Sequence, residues 1–377
     1  MEASELFKKL DFNLCMQCAT CSGACPVSFK SKLNPRKLML EIAYHLTGLK
    51  TSPPVKIEEK KEVWDCTTCS TCSSMCPRNA KPLDVIISLR NFFIEQGEVP
   101  RNLVDVLDAV FKYGNPWGIS RNKRSEWADG LKVKFAQEKG TADTLYFVCC
   151  ASSYDSRVQN VAKAMVNIFN LAAVDYFILG NEETCCGNEI YSMGELGLFE
   201  ELANKNLELF EKYGVQEIIT TSPHCFNAFK TRYDKELNVK HYTIRIADLI
   251  DRGKLKFSRK VEKTVTYHDS CYLGKHHGIY DEPRKIIESI PGIKFVEMSR
   301  SRKKSVCCEG GGGRMWYELP GQRLSEIRVR DALEVGAEII ATACPFCLLT
   351  IEDSVKTMGV EDKVAVKDIT ELILEAL

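Results

Sequence analysis

The 377-residue sequence has no stretch of about 18 uninterrupted apolar residues, which excludes a membrane-spanning helix. Its first ten residues, with Glu2, Glu5, Lys8 and Lys9, lack the apolar core of a secretory leader, so the chain is expected to stay in the cytoplasm. Attachment to the inner face of a membrane would then require a partner. Net charge is missing too: 51 basic and 51 acidic residues cancel, which removes the electrostatic case for nucleic acid as a partner. The basic run Arg300, Arg302, Lys303 and Lys304 reads as a solvated loop. No flavin fingerprint of the GxGxxG type occurs, and the glycines Gly310 to Gly313 are followed by Arg314, Met315 and Trp316, not by the Lys-Ser/Thr of a phosphate-binding loop.

What the chain does have is cysteine. There are eighteen, and their clustering, the chain length and the missing leader point to metal ligation rather than to the disulfides of a small secreted domain. A hydrophobic content of 45% is enough for two or three packed domains.

Residues 1–95 read as one small, mostly helical unit with two matching blocks, Cys15, Cys18, Cys21 and Cys25-Pro26, then Cys66, Cys69, Cys72 and Cys76-Pro77. This is the run that builds two-cluster ferredoxins, in which the fourth thiolate of each [4Fe-4S] cube comes from the other block. Cys76 should therefore complete the set of Cys15, Cys18 and Cys21, and Cys25 the set of Cys66, Cys69 and Cys72. Tetrahedral zinc also uses CxxC pairs, but two full copies of the four-cysteine spacing with its proline favour the ferredoxin assignment. Pro35 and the apolar spacing through Leu46 predict a helix between the blocks, followed by a charged loop from Thr51 to Lys61.

Residues 96–143 read as a docking linker: an amphipathic helix over Leu103 to Phe111, then the turn-rich Tyr113 to Gly118. Two α/β halves follow, 144–262 and 263–377. Strands are expected at Thr144 to Val148, Glu217 to Thr221, Thr264 to Tyr267 and Glu338 to Thr342, with helices at Glu195 to Tyr213 and Gly321 to Val335 between them. The halves are a repeat. Cys185, Cys186 and Cys225 recur as Cys307, Cys308 and Cys347 at an offset of 122, and Cys150 matches Cys271 with one residue of slippage.

The second half brings together five thiols, Cys271, Cys307, Cys308, Cys344 and Cys347. The adjacent Cys307 and Cys308 need a turn to face one site, which the glycines Gly310 to Gly313 are expected to supply. In the first half Ser222 stands where Cys344 stands in the second. Cys150, Cys185, Cys186 and Cys225 remain, enough for zinc or an ordinary cube, with His224 as a further candidate ligand. Cys149 reads as a buried bystander. His268, Asp269, His276 and His277 flank Cys271 and are candidates for proton delivery or for orienting ligands, or else belong to a polar turn.

These residues resemble the heterodisulfide reductase D-subunit family, in which a two-cluster ferredoxin domain is fused to two CCG-type cysteine-rich domains. The resemblance spans nearly the whole chain. It rests on both ferredoxin blocks, on Gly114 to Gly118, on Cys185-Cys186-Gly187 with Pro223 to Phe226, on His268 to Gly274, on Tyr280 to Arg284, on Cys307-Cys308 with Gly310 to Trp316, and on Cys344 to Cys347. It implies a multidomain α+β and α/β chain, an α-helical ferredoxin domain followed by two repeated α/β CCG domains.

It further implies an oxidoreductase subunit carrying two cubane clusters. A complete CCG set, here Cys271, Cys307, Cys308, Cys344 and Cys347, would hold a further [4Fe-4S] cluster, which in the family is non-cubane and splits a disulfide in two one-electron steps. The first set would hold zinc or one more [4Fe-4S] cluster. Two departures stand out: Ser222 for a ligand, and Glu309 where the glycine of CCG is expected. Relatives built on the same plan relay electrons from flavin dehydrogenases or electron-transfer flavoprotein toward quinone. Either role implies a flavoprotein or other redox partner, with a membrane cytochrome or quinone-linked subunit at the far end.

Overall fold

A computed structural model describes residues 14–48, 56–138, 140 and 142–377. The first ten residues, where a leader would stand, and part of the loop after Thr51 lie outside these. No described helix is long and apolar enough to cross a membrane.

The first unit is helical. Its two long helices, Pro35–Thr47 and Pro82–Glu95, each begin on a proline, whose fixed φ suits the first turn and whose missing N–H would have no partner there. Each cysteine block wraps into a loop by placing two non-glycine residues in the left-handed region: Gln17 and Ala19 in the first, Thr68 and Ser70 in the second. The equivalent residues adopt the same strained shape, so the loops are structural copies.

Next comes the helix Arg101–Tyr113, and then two parallel sheets. The first sheet has the order β1 (Thr144–Phe147), β2 (Glu217–Thr220), β3 (Val239–His241). Parallel bridges Leu145–Phe177 and Phe135–Ile178 widen it, so the segment expected to be a linker also contributes a rung. The second sheet runs β5 (Lys294–Phe295), β4 (Thr264–Tyr267), β6 (Ile339–Thr342), β7 (Ala365–Asp368), again all parallel. Residues of β1 and β6 are buried throughout, as expected for parallel strands covered on both faces. The chain is thus a mixed α/β multidomain protein with a helical ferredoxin-like region ahead of two α/β repeats.

This topology decides where the cysteines go. Cys149 and Cys150 follow β1, Ser222 to Cys225 follow β2, Cys271 follows β4, and Cys344 to Cys347 follow β6. All lie beyond the carboxyl ends of parallel strands, the position where open α/β sheets place their ligand sites.

Three units meet around Arg90, which is fully buried. Its guanidinium donates to the carbonyls of Val63, Trp64 and Cys66 in the helical unit, of Ser192 in the first repeat and of Gly312 in the second, at 2.6–3.2 Å. Tyr272 adds a second bolt, its hydroxyl sharing hydrogen bonds with Thr68 at 2.8 Å and Ser192 at 3.1 Å.

Candidate metal centres

In the helical unit, Cys25 lines one small cavity with Cys66, Cys69 and Cys72. The first block's fourth cysteine is thus brought to the second block. Burial, then the neighbouring Cys66 and Cys69, push the Cys25 thiol up to about 12. Sulfurs crowded in this way ionise together only when a cation compensates them, which suits thiolate ligation of a metal centre. Paired hydrogen bonds recur in both loops: Thr20 Oγ1 lies 3.3 Å from Cys18 Sγ and Thr71 Oγ1 3.2 Å from Cys69 Sγ.

The second repeat collects all five of its expected thiols in the buried interior. Cys271 and Cys307 lie 3.9 Å apart, Cys308 and Cys347 3.3 Å apart, and Cys344 is in hydrogen-bond contact with Cys347. All are free thiols, since a disulfide needs about 2.0 Å. The turn that presents the pair is made by Glu309 (φ 77°), not by the glycines. Its amide donates to Cys307 Sγ at 3.3 Å, as Gly187 (φ 79°) does to Cys185 Sγ at 3.4 Å in the first repeat. A carboxylate side chain is tolerated in this strained position because it is paired with Lys30 at 2.6 Å and Arg314 at 2.7 Å and accepts the Leu324 amide at 2.8 Å.

The glycines serve another purpose. A Cβ on Gly311 would stand 2.8 Å from the Thr67 carbonyl, and one on Gly312 would stand 2.8 Å from Thr68 Cγ2 and 2.9 Å from the Cys66 carbonyl. Bare backbone here lets the second ferredoxin-type loop press against the second repeat. The result is a direct contact between Cys69 and Cys307.

The first repeat gathers Cys150, Cys185, Cys186 and Cys225 around one cavity, together with Ser222 and Cys149. Cys149, which the sequence alone presents as a bystander, thus shares the site of the four expected ligands. Hydrogen bonds from Cys185 and then Cys225 hold Cys186 down at about 6 against the effect of burial.

Family models agree with this layout: one described as a cysteine-rich domain, CCG, matches residues 144–230 and 265–352, and a 4Fe-4S dicluster domain matches residues 11–80. The D subunit of the dihydromethanophenazine:CoB–CoM heterodisulfide reductase of Methanosarcina barkeri is 32% identical over 98% of this chain and 94% of its own length. The chain belongs to the heterodisulfide reductase D-subunit family. It is an iron–sulfur protein. Relatives with other names align over the same extent: the probable iron-sulfur-binding oxidoreductase FadF of Bacillus subtilis is 33% identical, and the EtfAB:quinone oxidoreductase of Syntrophomonas wolfei 32%, each over 98% of this chain. The chain spans 60% and 58% of the length of those two.

Within this member of the D-subunit family, the polar residues around Cys271 divide by role. Asp269 is bound bidentately by Arg284 at 2.7 and 2.9 Å and accepts the Arg302 amide, so it braces the loop. His276 faces the Thr68 carbonyl and His277 the Asn227 side chain, each at 3.0 Å, joining units. Of these four, His268 is the one placed at the sulfurs: it is buried, within 4.8 Å of Cys308 and Cys347, and its Nε2 lacks a partner among the described residues. Burial, and then the Arg328 guanidinium, bring it down to about 3, so it stays neutral.

Two further roles in this heterodisulfide reductase relative are not legible in its sequence. His224, expected at the first site, lines that cavity and also reaches across to Cys344 of the second, while Glu189 holds its Nδ1 at 2.7 Å. Arg124 is buried and directs both terminal nitrogens at Cys150 Sγ, at 3.5 and 3.6 Å, while pairing with Glu183 at 2.6 Å. Nothing in local sequence marks either role, because both act over long chain separations.

Proposed function

We propose that the protein is the iron–sulfur subunit of an oxidoreductase in which the second repeat reduces a disulfide. The clusters are assigned as two [4Fe-4S] cubes on Cys15, Cys18, Cys21 and Cys76 and on Cys66, Cys69, Cys72 and Cys25, with a further [4Fe-4S] cluster on Cys271, Cys307, Cys308, Cys344 and Cys347. Bound clusters supply one-electron transfer, and hence the two electrons that a disulfide takes up.

The observation that carries the reading is a cleft of about 400 Å³ that reaches Cys308. An electron relay alone has no use for a cavity at its last thiolate. The chain's own contribution is positional. Glu309 turns Cys308 toward the cleft, and the side chains of Arg157, Arg314, Arg323 and Lys356 line it among carboxylates, suiting a small polar disulfide. Cleavage breaks the S–S bond and takes two electrons and two protons to give two thiols, the protons entering from solvent through the cleft. Electrons come from a flavoprotein or other redox partner, and the protein would meet a membrane peripherally, through a cytochrome or quinone-linked partner.

A relay toward quinone is the second reading, favoured by the likeness to the EtfAB:quinone oxidoreductase. Anaerobic EPR on protein oxidised with and without a small thiol separates the two. A thiol-dependent paramagnetic signal that disappears in Cys308→Ser supports disulfide chemistry, and spectra indifferent to thiol would leave the relay.

A further inference from the structure

Each repeat has one residue just before its first cysteine and one that opens its later pair. In the second repeat these are Ser270 and Cys344; in the first they are Cys149 and Ser222. Serine and cysteine have exchanged places, so neither repeat has lost a thiol.

The fold turns that exchange into geometry. Cys149 takes a left-handed conformation (φ 72°), costly for a residue with a Cβ, whereas Ser270 is extended (φ −60°, ψ 129°). The Cys149 sulfur is in hydrogen-bond contact with Cys225 and lines the cavity shared by Cys150, Cys185 and Cys186. Glu183 accepts the amides of Val148 and Cys149 at 2.9 and 3.0 Å, holding the strained turn in place.

Ser222 is meanwhile committed elsewhere. It caps the helix Pro223–Thr231, its hydroxyl accepting the Cys225 amide at 3.4 Å, a role that serine fills well. Cys344, at the same place in the second repeat, makes no side-chain cap bond. The buried Arg124 guanidinium directs two N–H donors at Cys150 Sγ, at 3.6 and 3.5 Å, so a cation faces this cluster of thiols.

The geometry points to Cys149 as the fifth ligand of the first repeat, replacing the thiol that Ser222 lacks, so that this site holds an iron–sulfur cluster and not zinc. The inference rests on the iron–sulfur reading above. Tetrahedral zinc is complete with four thiolates and would leave the fifth buried sulfur without a task. Five thiols match the number at the second site.

The test uses the full chain, reconstituted anaerobically, with iron, sulfide and zinc analysis and Mössbauer spectra. Cys149→Ser is expected to lose the iron and sulfide of one cluster while the spectra of the other sites persist. The double variant Cys149→Ser/Ser222→Cys, which restores the pattern of the second repeat, is expected to regain that cluster. Zinc that is bound by the wild type and lost in Cys185→Ser would overturn the inference, as would a Cys149→Ser protein with undiminished iron or a double variant that regains nothing. A wild type without iron–sulfur spectra would refute the parent reading instead.

Discussion

Glu309 shows how one side chain can oppose its own backbone and still be retained. Left-handed φ costs an L-residue roughly 1–2 kcal/mol, so Glu309→Gly relieves strain. The same change strands Arg314, whose side chain is 1% exposed, and deprives the Leu324 amide of its acceptor. Leaving a buried cation unpaired costs about 3–5 kcal/mol, and this loss is the larger. Glu309→Gly should therefore lower the thermal unfolding temperature of the metal-loaded protein, while the spectrum of the second site is preserved because a glycine amide can still donate to Cys307. A variant more stable than the wild type, by the strain it relieves, would show that the ion pairs contribute nothing. The departure from CCG is readable by aligning the two halves; the pairing that permits it is not, because Lys30 lies far away in the chain.

At the scale of elements, parallel strands deliver cysteines to one end of each sheet, and bare glycine backbone closes the gap between units. Gly312→Ala combines positive φ with a clash against Thr68 and the Cys66 carbonyl. It should cost roughly 2 kcal/mol or more and push the loop of Cys69 away from Cys307. Gly321→Ala, with positive φ but open space around it, isolates the backbone strain. Stopped-flow reduction should show slower electron delivery to the second repeat in Gly312→Ala alone, at unchanged iron content; equal rates in both variants would remove the glycine run from that role. Strands with clear β-rich runs were legible, within a residue or so. Val239–His241, Lys294–Phe295 and Ala365–Asp368 were not: the first two are three and two residues long, too short to show any period, and the third ends on Lys367 and Asp368 and makes no β-rich run.

Across the whole molecule, Arg90 binds the three units by donating to backbone carbonyls, while its guanidinium also lies over the Trp64 ring. Burial drags its pKa down, and the charges of Cys66 and Glu189 partly restore it. Arg90→Met would strand several buried carbonyls at about 1–3 kcal/mol each. Hydrogen exchange should accelerate at Cys66, Ser192 and Gly313 together, since the units separate as one event. Acceleration confined to the helical unit would mean that other contacts hold the repeats in place.

Iron–sulfur chemistry and the repeat are legible in the chain alone, from eighteen cysteines, two ferredoxin blocks and the recurring Cys-Cys pairs, because residue type and spacing are local properties. Which thiols share a site is set by packing. Cys149 joining Cys225, Cys69 touching Cys307 and His224 crossing to Cys344 each join residues far apart in the chain, and only the folded arrangement of the three units fixes such distances.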